Sequence, residues 1–236
     1  MVEFTIIVPV FNEKENLSRL EVELMKFINS SKYKTKILIV DDGSTDGSKE
    51  IIKGLCKKNN FFESISFKNN HGLSSALKAG FDLCNSEYLG YIDADLQTSP
   101  SNFHNLLKYI EEYDLVTGYR TNRKDSLIKK LTSLAANSIR NLFTNDGIND
   151  TGCPLKIIKT DYAKRIPMFK GLHRFLPAMI LLQKGNIIEI PIKHFPRIAG
   201  KAKFGLLNRI LDPFLDSLAF IWMKRNYINY QIEELK

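Results

Sequence analysis

Three apolar runs in the first half of the chain stop abruptly on polar loops, and that repetition restricts the fold more than any other feature. Residues 4–10 exit through Phe11-Asn12-Glu13, residues 36–40 through Asp41-Asp42-Gly43, and residues 88–92 through Asp93-Ala94-Asp95. Unbroken runs rich in Val, Ile and Leu mark strands covered on both faces, which belong to parallel sheets. Between them the apolar residues recur at helical spacing: Leu17, Leu20, Leu24, Phe27 and Ile28 in a helix capped by Asn12, then Ile51, Ile52 and Leu55. A short strand at 64–68 and a helix at 75–84 complete the alternation. The expected class is α/β, with right-handed crossovers that bring all three loops to the carboxyl edge of one sheet. Open α/β folds bind ligands at that edge.

At the third loop an extended backbone would point Asp93 and Asp95 the same way, and two hard oxygen donors one pleat apart can share a divalent cation. A turn with a helix cap is the alternative for the same residues. An EF-hand does not fit, because Thr98 stands where that loop needs Gly and His104 where it needs Glu. No G-x-G-x-x-G follows the first strand and no G-x-x-x-x-G-K-[ST] occurs, which argues against dinucleotide oxidoreductases and P-loop NTPases. A diphosphate would then be held by metal and cationic side chains, and the base and ribose by carboxylates and backbone.

The second half is less regular. The pattern predicts a helix at 102–112 after Pro100, strands at 114–118 and 187–192, a turn entering a strand over 150–158, and a helix at 176–183. The 236 residues suit one large domain or a domain with a tail, and the formal charge of +8 suggests a polyanionic partner: nucleic acid, an anionic membrane or a phosphorylated substrate. Some of that charge crowds around Arg120, Arg123, Lys124, Lys129 and Lys130. On a helix, Lys129, Ser133 and Asn137 share a face with Arg140 beside them, which fits a phosphate-contacting surface; a solvated basic face is the alternative. Residues 195–205, basic and glycine-containing, have the make of a lid over a phosphate ligand.

Cys56, Cys84 and Cys153 are odd in number and lack metal-ligand spacing, as expected of reduced thiols in a cytosolic setting. The N-terminus reads as a strand and not a signal peptide, and no stretch is apolar enough to predict a membrane span. From Leu206 onward, Leu207, Ile210, Leu211, Phe214, Leu218, Ile221 and Trp222 recur at helical spacing, with Asp212 as a cap, Pro213 in the first turn, and Lys224 and Arg225 after the aromatic end. Such a helix lies in a membrane interface, packs on the sheet, or meets a second copy. His173 before an apolar helix reads as a cap or hydrogen-bonded structural residue before a base. Asp150 either orients a substrate or caps its turn.

Six strings together, I-I-V-P-V-F-N-E-K-E-N-L, V-D-D-G-S-T-D-G-S, G-Y-I-D-A-D-L-Q, T-G-Y-R, D-T-G-C-P-L-K and R-I-A-G-K-A-K-F-G, resemble a family-2 inverting glycosyltransferase of the GT-A fold. The likeness is to its polyprenyl-phosphate, dolichol-phosphate mannose synthase-like branch. It implies a Rossmann-like, mixed, mainly parallel sheet flanked by helices, with a catalytic domain at 1–205 and a helical, membrane-interfacial tail at 206–236. By resemblance, Pro9, Phe11 and Glu13 hold the nucleoside, and Val40 and Asp42 the base. Asp93, Ala94, Asp95 and Gln97 form the diphosphate site, with Mg2+ or Mn2+ on Asp95 and Gln97 and with Asp93 on metal or ribose. Arg120 contacts sugar and phosphate, Arg197 and Lys203 close the lid over the diphosphate, and Lys129 and Ser133 bind the lipid phosphate. Lys129 stands where the family more usually has Arg, and Ala202 where the lid usually has Ser. Some relatives carry transmembrane helices after the catalytic domain; here the tail helix or a partner subunit is expected to bring the enzyme to lipid.

The implied reaction moves a sugar from a nucleotide-sugar, UDP-linked in preference to GDP-linked, to polyprenyl phosphate, with Asp95, Arg120, Lys129 and Ser133 as the catalytic set. The expected partners are those two substrates, the cytoplasmic face of the membrane, and a membrane subunit or second copy, with no nucleic acid. The rivals are a GT-A enzyme acting on a carbohydrate hydroxyl, which needs a base, and a non-catalytic basic binding protein on the same scaffold.

Overall fold

The computed structural model describes residues 3–121, 140–141, 143–196, 199 and 211–228. Lys129, Ser133, Arg197 and Lys203, together with Arg123, Lys124, Lys130, Asn137 and the tail residues Leu207 and Ile210, lie outside the described residues.

One mixed sheet organises the chain. Its seven strands are β1 (Phe4–Val10), β2 (Thr35–Asp41), β3 (Phe62–Ser66), β4 (Tyr88–Tyr91), β5 (Leu115–Thr121), β6 (Lys156–Lys159) and β7 (Ile187–Lys193), in the order β3-β2-β1-β4-β6-β5-β7. All pairings are parallel except those of β6, which runs antiparallel to both β4 and β5. The mainly parallel α/β sheet read from the sequence is therefore present. The chain leaves β1 toward β2 and β3, then returns to the other side of β1 as β4, so the strand order reverses between β1 and β4. Such a reversal opens a crevice at the carboxyl ends of the strands.

Alternation along β1 divides the core. Ile6, Val8 and Val10 face a layer made by α1 (Lys14–Ser30), α2 (Ser48–Lys58) and the short α4 (Phe103–Leu106), while Ile7 faces the opposite layer. That second layer holds α3 (Leu73–Leu83), α5 (Thr160–Lys164), α6 (Leu176–Leu182) and α7 (Leu211–Asn226). Phe220 and Met223 of α7 are buried in it, and Phe220 stacks on Phe175 at 5.2 Å.

Three expectations need correction. The helix predicted over 102–112 is a 3-10 turn at Pro100–Asn102 followed by α4, because the next amides bond three residues back: Tyr109 N–H to Leu106 C=O, Glu112 N–H to Tyr109 C=O. The apolar spacing there is real, and Phe103, Leu106, Leu107 and Ile110 are all buried. Asn12 does not cap α1. Its φ is +51°, its amide donates to Ser44 Oγ and its Oδ1 accepts from Thr45 N–H, so it clips the β1 loop to the β2 loop and leaves Glu13 as the cap residue. Arg140 is not a surface cation. It is buried against Asp146 and donates to the Ile148 carbonyl.

Gly90 carries the centre of the sheet close to an aromatic cluster. A Cβ there would sit 2.7 Å from Phe4 Cζ and 3.0 Å from Phe103 Cε1. Gly90→Ala is expected to overpack this contact and cost about 1–3 kcal/mol, read as a lower urea midpoint with an unchanged slope.

Candidate active site

The crevice at the strand reversal is a pocket of about 580 Å3. Pro9, Phe11 and Glu13 line it from the β1 exit, Asp42 from β2, Asn70 to Ser74 from the approach to α3, and Asp93, Ala94 and Asp95 from β4. Its far wall comes from Lys170, Gly171, His173 and Arg174, together with Leu215 and Asp216 of α7.

Asp42 organises the end of the pocket beside α3. Its carboxylate accepts from Asn70 Nδ2 at 2.8 Å, His71 N–H at 2.7 Å and Gly72 N–H at 2.8 Å, so it holds the loop that turns into α3. Glu13 Oε2 accepts from Asn16 Nδ2 at 2.6 Å, and the Glu13 amide donates to Ser48 Oγ. Val40, read by resemblance as a base contact, is fully buried among Ile7, Ala76 and Leu77 and does not line the pocket.

The carboxylate pair sits on a turn, not on an extended strand. β4 ends at Tyr91, and Leu96 adopts φ +55°, a left-handed conformation that a non-glycine residue holds only when its surroundings enforce it. Here burial of Leu96 does so. The Asp95 carboxylate accepts from Gln97 N–H at 3.0 Å, and the Gln97 carbonyl accepts from Phe195 N–H at 2.9 Å. Gln97 thus ties the loop to Phe195 through its backbone, and it is absent from the pocket lining.

Tyr91 Oη donates to Asp93 Oδ1 at 2.8 Å. Burial and the Asp95 charge raise the Asp93 pKa to about 6, against the pull of that hydrogen bond, Arg120 and Lys156. Two carboxylates that repel in a low-dielectric crevice suit a hard divalent cation. No cluster of three or more His, Cys, Asp or Glu exists among the described residues, so a cation here would take its remaining ligands from substrate and water, as Mg2+ commonly does.

Arg120 is held by Asp150. Its Nε and Nη2 fork onto Asp150 at 2.7 and 2.8 Å, and its amide also donates to Asp150 Oδ2. Burial alone would lower its pKa, but the Asp150 bonds raise it. Glu189 of β7 accepts from the Asn149 and Asp150 amides, so β7 positions Asp150 and Asp150 positions Arg120. Asp150 does not simply cap its turn. Behind it Lys156 is fully buried, its Nζ donating to the Thr151 and Cys153 carbonyls, and burial lowers its pKa.

His173 is structural, as its context suggested. Nδ1 bonds Ser74 Oγ at 2.8 Å, the same oxygen accepts from Gly171 N–H, and burial lowers the ring's pKa to about 3. Sequence reasoning assigned no site role to Ser74, Arg174 or Asp216. Arg174 Nη1 donates to Asp216 Oδ2 at 2.8 Å, joining α7 to the pocket wall.

Comparison with known proteins adds the class of chemistry. Residues 5–166 match glycosyl transferase family 2. The chain belongs to that family. A dodecaprenyl-phosphate galacturonate synthase of Rhizobium johnstonii is 29% identical over 94% of this chain and 68% of its own length. An undecaprenyl-phosphate 4-deoxy-4-formamido-L-arabinose transferase of Photorhabdus laumondii is 30% identical over 87% of this chain, which spans 64% of that relative's length. The chain therefore covers about two thirds of these curated relatives. Among solved structures, glucosyl-3-phosphoglycerate synthase of Mycobacterium tuberculosis, in complex with Mn2+, UDP and glucosyl-3-phosphoglycerate, superposes with a TM-score of 0.71 at 13% identity over 97% of this chain and 81% of that one. That likeness establishes the GT-A fold.

Removing Asp150 would strand a buried guanidinium. Asp150→Ala is expected to cost about 3–5 kcal/mol in urea unfolding, and a combined Arg120→Met, Asp150→Leu exchange to recover most of it. Equal losses in the single and double variants would contradict the pairing.

Proposed function

We propose that this chain is an inverting glycosyltransferase that moves a sugar from a nucleotide-diphosphate donor, UDP-linked in preference to GDP-linked, to the phosphate of a polyprenyl phosphate. The observation that carries it is one pocket joining a nucleoside end, ordered by Asp42, to the Asp93–Asp95 pair. The printed activities of both curated relatives, each a sugar transfer onto a polyprenyl phosphate, support the acceptor. The preference for a UDP donor rests on the resemblance of D-T-G-C-P-L-K and H-R-F-L-P to bacterial envelope enzymes.

In this reading Pro9, Phe11 and Glu13 flank the nucleoside, while Asp93 and Asp95 hold Mg2+ or Mn2+ against the diphosphate. When bound, that ion neutralises charge developing on the leaving diphosphate. The acceptor oxygen attacks the anomeric carbon as the carbon–oxygen bond to the diphosphate breaks, and the nucleoside diphosphate leaves with the electron pair. One displacement inverts the centre, giving a β-linked product from an α-linked donor. A phosphate with a second pKa of about 6 is already ionised, so no base is needed. This accords with a His173 ring held neutral on Ser74. Lys129, Ser133, Arg197 and Lys203 remain proposed as lipid-phosphate and lid contacts by resemblance.

The outward face of α7 supports a peripheral position on the cytoplasmic side of the membrane. Leu215, Leu218 and Trp222 are exposed, Trp222 by 70%, with exposed Lys224 and Arg225 beside them. No helix among the described residues is long and apolar enough to cross a membrane.

Incubating labelled nucleotide-sugars with polyprenyl phosphate and extracting into organic solvent tests the reaction; label confined to water with every donor would refute it. Asp95→Ala is expected to abolish transfer with the fold intact. The Asp93 pKa adds a pH signature. A carboxyl raised from 3.8 to about 6 on folding binds extra protons in the folded state, so the metal-free protein loses stability as pH rises through that window. The melting-temperature gain from Mn2+ is therefore expected to be larger at about pH 7.5 than at about pH 5. Trp222→Glu is expected to weaken flotation with anionic liposomes several-fold, and unchanged flotation would reject the interfacial role.

A further inference from the structure

Arg174 is a pocket cation without a role in the scheme above. It shares the pocket with Asp93 and Asp95, whereas Arg120 lies outside the lining and is forked onto Asp150. Four carboxylates, those of Glu13, Asp42, Asp93 and Asp95, line the donor side. A second anion entering beside a diphosphate needs a cation facing it. The described cations in the lining are Lys170, which is solvent-exposed, and Arg174, which is half-buried.

The mount of Arg174 is firm. Gly171 N–H and His173 Nδ1 both bond Ser74 Oγ at the start of α3, and Phe175 stacks on Phe220. Its partner comes from a different element. Asp216 arrives on α7, and it reaches the wall only because residue 171 is glycine: a Cβ there would lie 2.1 Å from Asp216 Oδ2. Among the described residues the Arg174 side chain makes one hydrogen bond, Nη1 to Asp216. A guanidinium carries five N–H donors in a planar fork that matches phosphate, and among the described residues one of those on Arg174 is used.

We infer that Arg174 binds the phosphate of the acceptor and that Asp216, carried on the tail helix, competes with that phosphate for the guanidinium. The inference rests on the acceptor being a phosphomonoester. A phosphate dianion brings more charge and more acceptor oxygens than a carboxylate and so displaces Asp216. Acceptor affinity then depends on how closely α7 presses its carboxylate on the wall.

Steady-state kinetics of the full chain test this, with farnesyl phosphate in detergent micelles and glycerol 3-phosphate as the water-soluble phosphomonoester. Arg174→Ala is expected to raise the acceptor KM about tenfold or more, with a smaller change in kcat and an unmoved donor KM, and Arg174→Lys to restore part of the loss. Asp216→Asn is expected to lower the acceptor KM. A pair that only docks the helix would respond in one direction to loss of either half. Shifts of the same sign, or an Arg174→Ala enzyme with wild-type acceptor KM, overturn the inference. If Arg174→Ala fails to fold by thermal melt, Asp216→Asn decides alone, and an unchanged or raised acceptor KM counts against it. If the wild type uses glycerol 3-phosphate and not farnesyl phosphate, and Arg174→Ala raises that KM, the anchor stands and the lipid reading falls.

Discussion

The pairing of β1 with a parallel neighbour on each side is the constraint from which the site follows. On one side the last rung is Asp42 N–H to the Val10 carbonyl at 2.8 Å; on the other it is Ile92 N–H to the Ile7 carbonyl at 3.2 Å. These rungs set the height at which each loop leaves the sheet. Asp42 and Asp93 therefore emerge at one edge, on either side of the β1 exit that carries Phe11 and Glu13. A register slip of one residue would turn every side chain of a strand to its opposite face, exchanging core for crevice. Burial on both faces of β1 forbids that slip, so the hydrophobic layers hold the active-site geometry as firmly as any polar contact.

Charge is distributed with the same economy of placement. Among the described residues, the cations that act on Asp93 already have partners: Arg120 has Asp150, and Lys156 has two backbone carbonyls. They soften the field at Asp93 without cancelling it, so its pKa stays raised. The wall opposite carries positive charge from a different stretch of chain. One pocket thus presents opposite signs to its two ends, an arrangement suited to aligning two phosphates with a sugar carbon between them.

Much of this was legible in the sequence, and the reasons are local. Strand runs that end on Asp or Asn, helices with clear apolar spacing, and the Asp93-Ala-Asp95 string each report a feature encoded within a few residues. What escaped was encoded at long range. Nothing near Asn12 announces that its side chain reaches Thr45, and nothing near Arg120 names Asp150 as its partner. The Ser74–His173 bond spans 99 residues, and Arg174 meets Asp216 across 42. The 102–112 segment failed differently: its apolar periodicity was correct, but tight turns satisfy the same burial with fewer helical bonds. In the tail, periodicity gave one apolar stripe where the helix has two uses, with Phe220 and Met223 inward and Leu218 and Trp222 outward.

The glycine at 171 allows the pocket to be assembled from two lengths of chain that are separate in sequence. The end of the pocket that carries Asp42, Asp93 and Asp95 is complete by Asp95, inside the stretch that matches the family, whereas Gly171, Arg174 and Asp216 all lie beyond residue 166 where that match stops. The carboxylate end of the pocket and its Arg174 wall are therefore written in different passages of the polypeptide. On the proposed reading, substitutions in the later passage would retune the Arg174 contact while the Asp42 and Asp93–Asp95 contacts stay untouched.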